Sequence, residues 1–160
     1  MKKYLLLLSV VIMGLSACRK SDVTAEQAAV DDAKIQAYIK ANIVNPNFTK
    51  DPSGIYYSIK QGPITTPPTT RLFPTVASTV QVAYNGKLLN GTVFDSNPNI
   101  QLALSQTIKG WQLVIPKIAP TDRITFIVPS ALAYGVAGSG AAIPSNAVLV
   151  FTVDLIGFYN

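Results

Sequence analysis

The chain has 160 residues, enough for one domain with its own core plus a small extension, and at 49% hydrophobic and 13% charged it is not a disordered segment. Its formal charge of +5 is dispersed rather than gathered into a basic stripe, which excludes a nucleic-acid footprint. With no histidine, one cysteine (Cys18) and one glutamate (Glu26), a His-dependent triad, a His/Cys zinc cage and a thiol–imidazole pair are excluded as well. From residue 75 onward the carboxylates are Asp95, Asp122 and Asp154 alone, so chemistry here runs without strong acid–base pairs, and neither a cofactor nor a metal is expected.

Residues 1–17 read as a secretory signal. Lys2 and Lys3 make the positive start, and Leu5 to Leu15 is an apolar run broken only by Ser9 and Gly14. That run is shorter than the roughly 20 apolar residues a membrane span requires. It ends in Leu15-Ser16-Ala17-Cys18, which resembles the lipobox of bacterial lipoproteins, where the cysteine is lipidated and becomes the mature N-terminus. An ordinary signal with an incidental cysteine is the alternative; the chain's only cysteine standing at that place favours lipidation. Each buried acyl CH₂ contributes roughly 0.8 kcal/mol, so several chains tether permanently. The expected location is therefore the bacterial cell envelope, lipid-anchored. Arg19 after the cysteine favours the outer membrane over the inner.

Residues 18–50 are expected to form a tether and a helix over 24–43. Thr24 with Gln27 fits a capping box, and Ile35, Tyr38, Ile39 and Ile43 recur at helical spacing, with Asp32, Lys34 and Lys40 off that stripe. Asn45-Pro46-Asn47 ends it. The stripe is expected to pack on the following domain or on a second copy of the chain. The remainder, 51–160, is expected to be one domain. It opens with a strand at 54–59, followed by a Pro/Thr-rich connector at 61–75 that carries Pro63, Pro67, Pro68 and Pro74.

From Ala77 the pattern is mostly β. Thr79 to Tyr84 alternates, Asn90-Gly91 marks a turn before Thr92-Val93-Phe94, and Ile100 to Leu104 alternates again. Ile124 to Val128 and Val148 to Ile156 supply two more strands. Gly110 to Ile118 is the one helical segment, with Trp111, Val114, Ile115 and Ile118 on one face and Pro116 shortening or distorting it. The class is α+β: an antiparallel sheet wrapping one short helix, with an N-terminal helical extension.

Four segments are specific. Val80-Gln-Val-Ala-Tyr84-Asn-Gly86 through Gly91-Thr-Val-Phe94-Asp95-Ser96 resembles the opening V-x-V-x-Y-x-G-x-L-x-x-G-x-x-F-D-S of FKBP-type peptidyl-prolyl isomerases. Ser105-Gln-Thr107-Ile108-Lys-Gly110-Trp111 resembles that family's lead into its helix. Ile127-Val-Pro129-Ser-Ala-Leu132-Ala-Tyr134-Gly135 and Ile143-Pro144-Ser-Asn146-Ala147-Val-Leu149-Val-Phe151 match its later motifs, in the family's order, across about 80 residues.

The resemblance implies a curved FKBP-like sheet and cis–trans isomerisation of X-Pro bonds in exported proteins. Trp111 would be the pocket floor, and Tyr84, Phe94 and Phe151 its walls. The Ile108 N–H and the Tyr134 hydroxyl would hydrogen-bond ligand carbonyls, with Asp95 at the rim and Ile143 on an overhanging loop. Leu102 and Thr107 complete the expected substrate contacts. Proline-containing polypeptides are the expected partners, and macrolide-type inhibitors a further ligand class. The chain departs from the family's pattern at Leu102, where a phenylalanine is usual, at Gln112, where an acidic residue is common, and at Pro144-Ser145, where Pro-Pro is usual. It also has a short Asn97-Pro98-Asn99 stretch with no arginine for Asp95. These departures leave a non-catalytic proline-binding or chaperone module as the alternative.

Overall fold

The computed structural model describes residues 19–42, 47–63 and 71–160, with only the backbone described for 19–23. The signal segment, Cys18, Ile43 and residues 64–70 of the Pro/Thr-rich connector lie outside the described residues. Helix α1 spans Arg19–Ala41 and helix α2 spans Lys109–Val114. The strands are β1 (Thr49–Lys50), β2 (Tyr56–Lys60), β3 (Thr79–Leu88), β4 (Val93–Ala103), β5 (Arg123–Val128) and β6 (Leu149–Tyr159). They form one antiparallel sheet in the order β1-β2-β5-β6-β3-β4.

Alternation along the strands explains where the core sits. Ile124, Phe126 and Val128 of β5, with Leu149, Phe151, Val153 and Leu155 of β6, point to the face that holds α2. The intervening Ile127 and Val150 point the other way, where α1 covers them with Ile35. The paired strands are therefore buried on both faces at the Ile127/Val150 end, while Thr125 and Thr152 on the α1 side are only half-buried. On α2 and the turn after it, Trp111, Val114, Ile115 and Ile118 are all buried. Pro116 has the expected effect: the α-helix stops at Val114 and Ile115–Lys117 continues as a 3₁₀ turn.

Two expectations need correction. The first helix begins by Arg19, so Thr24 lies inside it and the Thr24/Gln27 pair is not its cap. Gln27 instead donates to Asp31 one turn further on, at 2.8 Å. The helix also stops at Ala41, ahead of Asn45-Pro46-Asn47, where the Asn42 backbone and side-chain N–H groups both donate to Tyr38 O. Ile35, Tyr38 and Ile39 of the stripe pack on the chain's own sheet. Second, Val93–Phe94 and Ile100–Ala103 are parts of one strand, β4, which runs through Asn97-Pro98-Asn99 with register shifts near Pro98 and at Phe94, while Leu104 begins a 3₁₀ turn. A proline fits there because β4 is an edge strand.

Loops near the sheet ends are tied by buried polar groups. Asp122, 2% exposed, accepts the Gly62 N–H at 2.9 Å, the Ala119 N–H at 3.0 Å and the Arg71 guanidinium. One carboxylate thus fixes both flanks of the Pro/Thr-rich connector.

Candidate functional site

β3, β4, β6 and α2 converge on one aromatic cluster. Trp111 opens α2, is 4% exposed, and meets three rings edge-on: Tyr84 at 5.4 Å, Phe151 at 5.6 Å and Phe126 at 6.1 Å between centroids. Phe151 stacks on Phe126 at 5.4 Å and 22°. Phe94 reaches Phe151 edge-on at 5.7 Å. It can do so because the bulge that pairs Gly86 with Asp95 and Lys87 with Val93 leaves Phe94 as the extra residue on β4. Gly86 faces this junction, and a Cβ there would lie 2.7 Å from Phe94 Cζ and 2.8 Å from Phe151 Cε1.

Few polar groups edge the cluster. The Tyr84 hydroxyl donates to Asp95 Oδ2 at 2.6 Å. Its pKa is pushed up to about 12, first by burial, then by the hydrogen bond and charge of Asp95, and last by the charge of Tyr134. Asp95 thus has the Tyr84 hydroxyl where the family resemblance lacked an arginine. Tyr134 lies between the 3₁₀ turns Ser130–Leu132 and Gly135–Ala137 and is 38% exposed, so its ring is open to a ligand. Ile108 is the N-cap of α2 with an extended backbone, and its carbonyl accepts the Trp111 N–H at 3.0 Å. Among the described residues its own N–H meets no acceptor.

The loop that presents Ile108 is held by its own side chains. Thr107 Oγ1 donates to Leu104 O at 2.7 Å, so this hydroxyl braces the turn. Gln112 Nε2 donates to Thr107 O at 2.8 Å and Ser105 O at 3.1 Å, a double donation that a carboxylate could not make. Leu102 pairs with Val80 and is half-buried against the core. Ile143 is 5% exposed, bonded through both backbone groups to Ser139, and belongs to the same core cluster as Trp111. Its loop needs Gly138, whose φ is +65° and whose added Cβ would lie 2.4 Å from Ile143 O.

The structure therefore brings Tyr84, Phe94, Asp95, Trp111 and Phe151 into one connected group, with Tyr134 close enough to act on Tyr84. Leu102 and Ile143 pack into the adjoining core, and Thr107 supports the loop before α2. Sequence reasoning missed Phe126, although the alternation of Ile124, Phe126 and Val128 would have placed it on the same face as Phe151. It also missed Asp31, 1% exposed, which accepts bonds from Ser130. No group of three or more metal-ligating side chains occurs among the described residues. Chemically the arrangement is an apolar cluster of packed aromatic rings, edged by the Asp95 carboxylate that Tyr84 holds.

Comparison with known proteins gives the same picture. The model of the FKBP-type peptidyl-prolyl cis-trans isomerase family matches residues 71–156, more than half of the chain. The FKBP-type peptidyl-prolyl cis-trans isomerase FkpA of Aeromonas hydrophila is 35% identical over 82% of this chain and 48% of its own length. The peptidyl-prolyl cis-trans isomerase Mip of Coxiella burnetii is 34% identical over 77% of this chain and 53% of its own. The chain spans about half the length of these curated relatives. Among solved structures, FkpA from Escherichia coli superposes with a TM-score of 0.68 at 28% identity, covering 87% of this chain and 65% of that one.

Proposed function

The chain belongs to the FKBP-type peptidyl-prolyl cis-trans isomerase family, and on that footing we propose that its aromatic recess turns X-Pro peptide bonds between cis and trans in exported polypeptides. The observation that carries this reading is the Trp111 floor, walled edge-on by Tyr84 and Phe151, at the start of a helix whose Ile108 N–H has no acceptor among the described residues. A proline ring fits against such a floor. The carbonyls flanking it then have the Ile108 N–H and the Tyr134 hydroxyl as donors.

The reaction suits these groups. Rotation about the C–N bond crosses a barrier of about 18–20 kcal/mol because resonance stiffens the amide. At the twisted transition state that resonance is lost, and the carbonyl oxygen carries less charge than in the planar amide. An apolar wall of Phe94, Phe151 and Tyr84 solvates the planar form poorly relative to the twisted one, which is differential binding in the required direction. No proton is transferred and no covalent intermediate forms. The Tyr84 hydroxyl holds the Asp95 carboxylate at the rim, which fixes the wall on the side where the carbonyl turns.

We also propose that Cys18 is lipidated and that the domain works at an envelope membrane, the outer membrane being favoured by Arg19. This rests on the Leu15-Ser16-Ala17-Cys18 sequence and the Lys2-Lys3 start. The half-open Tyr134 ring and the apolar floor also support binding of macrolide-type inhibitors.

The test is proline-limited refolding of a reporter protein with residues 19–160 as the catalyst. Acceleration is expected, and Phe94→Ala combined with Tyr134→Phe should reduce it by about tenfold or more, equivalent to roughly 1.4 kcal/mol of barrier. If the pair changes nothing above background, catalysis at this recess is refuted. Peptide binding without rate enhancement would instead support a binding module, which Leu102 in place of an aromatic favours. For the anchor, Cys18→Ser should move the protein out of the membrane fraction.

A further inference from the structure

Helix α1 reaches the site without lining it. Asp31 on this helix is 1% exposed. Its Oδ2 accepts two bonds from a single residue 99 positions away, the Ser130 N–H at 2.8 Å and the Ser130 Oγ–H at 2.6 Å. Its Oδ1 accepts Gln27 Nε2 at 2.8 Å, with Lys34 Nζ 4.0 Å away. A carboxylate this deeply buried is destabilising unless its acceptor sites are filled, and here they are.

Ser130 is the first residue of the 3₁₀ turn that leads to Tyr134. Pro129 occupies the N-cap position and makes no side-chain cap bond. Asp31 supplies from another element the acceptor that this position lacks. The turn then continues through Leu132 N–H to Pro129 O and Ala133 N–H to Ser130 O, both at 3.0 Å, into the Gly135–Ala137 turn. At the far end of the same segment, Val148 is 3% exposed and packs with Ile35 of α1. One helix thus grips residues 129–148 at both ends, and that segment carries Tyr134 and Ile143.

We infer that α1 is a positioning element of the recess, and that Asp31 is a positioning residue acting through Ser130 on the placement of the Tyr134 hydroxyl. The catalytic half of this inference rests on the isomerase reading; the mechanical half rests on the packing alone.

The two halves have separate readouts, made on the full chain carrying Asp31→Ala, Tyr134→Phe or both. Amide exchange should speed up by about tenfold at Ala133 and Gly138, the scale of one lost bond to a charged group. The Gly91 amide, on the distant β3–β4 turn, should not change. In a proline-peptide assay, Asp31→Ala should lower kcat/KM, and the double variant should be no worse than the worse single, because both act on the same hydroxyl. Asp31→Asn, which keeps a carbonyl acceptor, should restore part of the loss. Multiplicative losses, or unchanged exchange at Ala133 and Gly138, would overturn the inference. If the wild-type chain does not isomerise, the functional reading falls and exchange alone decides the clasp. Should Asp31→Ala not fold, Ser130→Ala removes one of the two Ser130 bonds and gives the same exchange readout.

Discussion

Gly86→Ala tests how tightly the aromatic wall is built. The new methyl carbon would stand 2.7 Å and 2.9 Å from Phe94 Cζ and Cε2, and 2.8 Å from Phe151 Cε1. Carbon atoms rest at about 3.5–4.0 Å, so both rings must give by about 0.8 Å, or the β3 backbone must shift. Phe151 is pinned between Phe126 and Trp111 and is 4% exposed. Phe94, half-buried on its bulge, gives way more easily, while the clash with the pinned Phe151 persists. Overpacking costs about 1–3 kcal/mol, and the pinned Phe151 puts this case at about 2–3 kcal/mol. For a chain of this size that lowers Tm by roughly 4–12 °C. Calorimetry measures that shift, and proline-limited refolding measures the lost wall as a fall in kcat/KM of about tenfold. Adding Phe94→Leu should recover part of the stability, because the shorter side chain removes the Phe94 half of the clash and leaves the Phe151 half, but should not recover activity. An unchanged Tm in Gly86→Ala, or no recovery in the double variant, would refute this account of the wall.

Two titrations give signed expectations. Tyr84, held up to about 12 by burial first and then by Asp95, binds its proton more tightly folded than at its ordinary value of 10.0, so its contribution is full below about 10 and is lost as pH rises through about 12; tyrosinate absorbance and unfolding measured with pH should show a shallower alkaline decline in Tyr84→Phe, and identical profiles would count against the pairing. Asp51, lowered to about 2 by hydrogen bonds from the Ser53 side chain and backbone and then by Lys117, stabilises fully above its ordinary 3.8, and that contribution disappears as pH falls through about 2; Asp51→Asn should flatten stability across that acid window, and an unaltered acid limb would sink the assignment.

Much of the site is legible in the sequence because its residues are tied to backbone periodicity. Trp111, Val114, Ile115 and Ile118 mark a helical face whatever they do, and Pro116 fixes where it distorts. Tyr84, Phe94 and Phe151 are read from ordered motifs, and the structure joins Tyr84 to Phe151 through Trp111 and Phe94 to Phe151 directly. What stays hidden depends on partners far along the chain. Asp31 looks like one more acid on a polar helix until Ser130 arrives from 99 residues away. Gln112 reads as a departure from a family pattern, yet its amide is the donor that two loop carbonyls require. Asn97-Pro98-Asn99 carries every local sign of a turn. Its strand conformation follows only from a position at the sheet edge, where a missing N–H leaves no ladder bond broken.

That edge position also limits how this chain can meet other polypeptides. A strand at a sheet's border is a template for any extended peptide, its own copies included. Here one border is β1, only two residues long. The other is β4, interrupted by Pro98 and by register shifts on either side of the stretch from Asp95 to Asn97. Neither offers a long, straight row of free donors and acceptors. Extended clients therefore gain little by lengthening the sheet, and stacking of copies edge to edge is disfavoured even where unfolded, sticky chains are concentrated. On the proposed reading, recognition is then left to a ring-shaped side chain finding an indole.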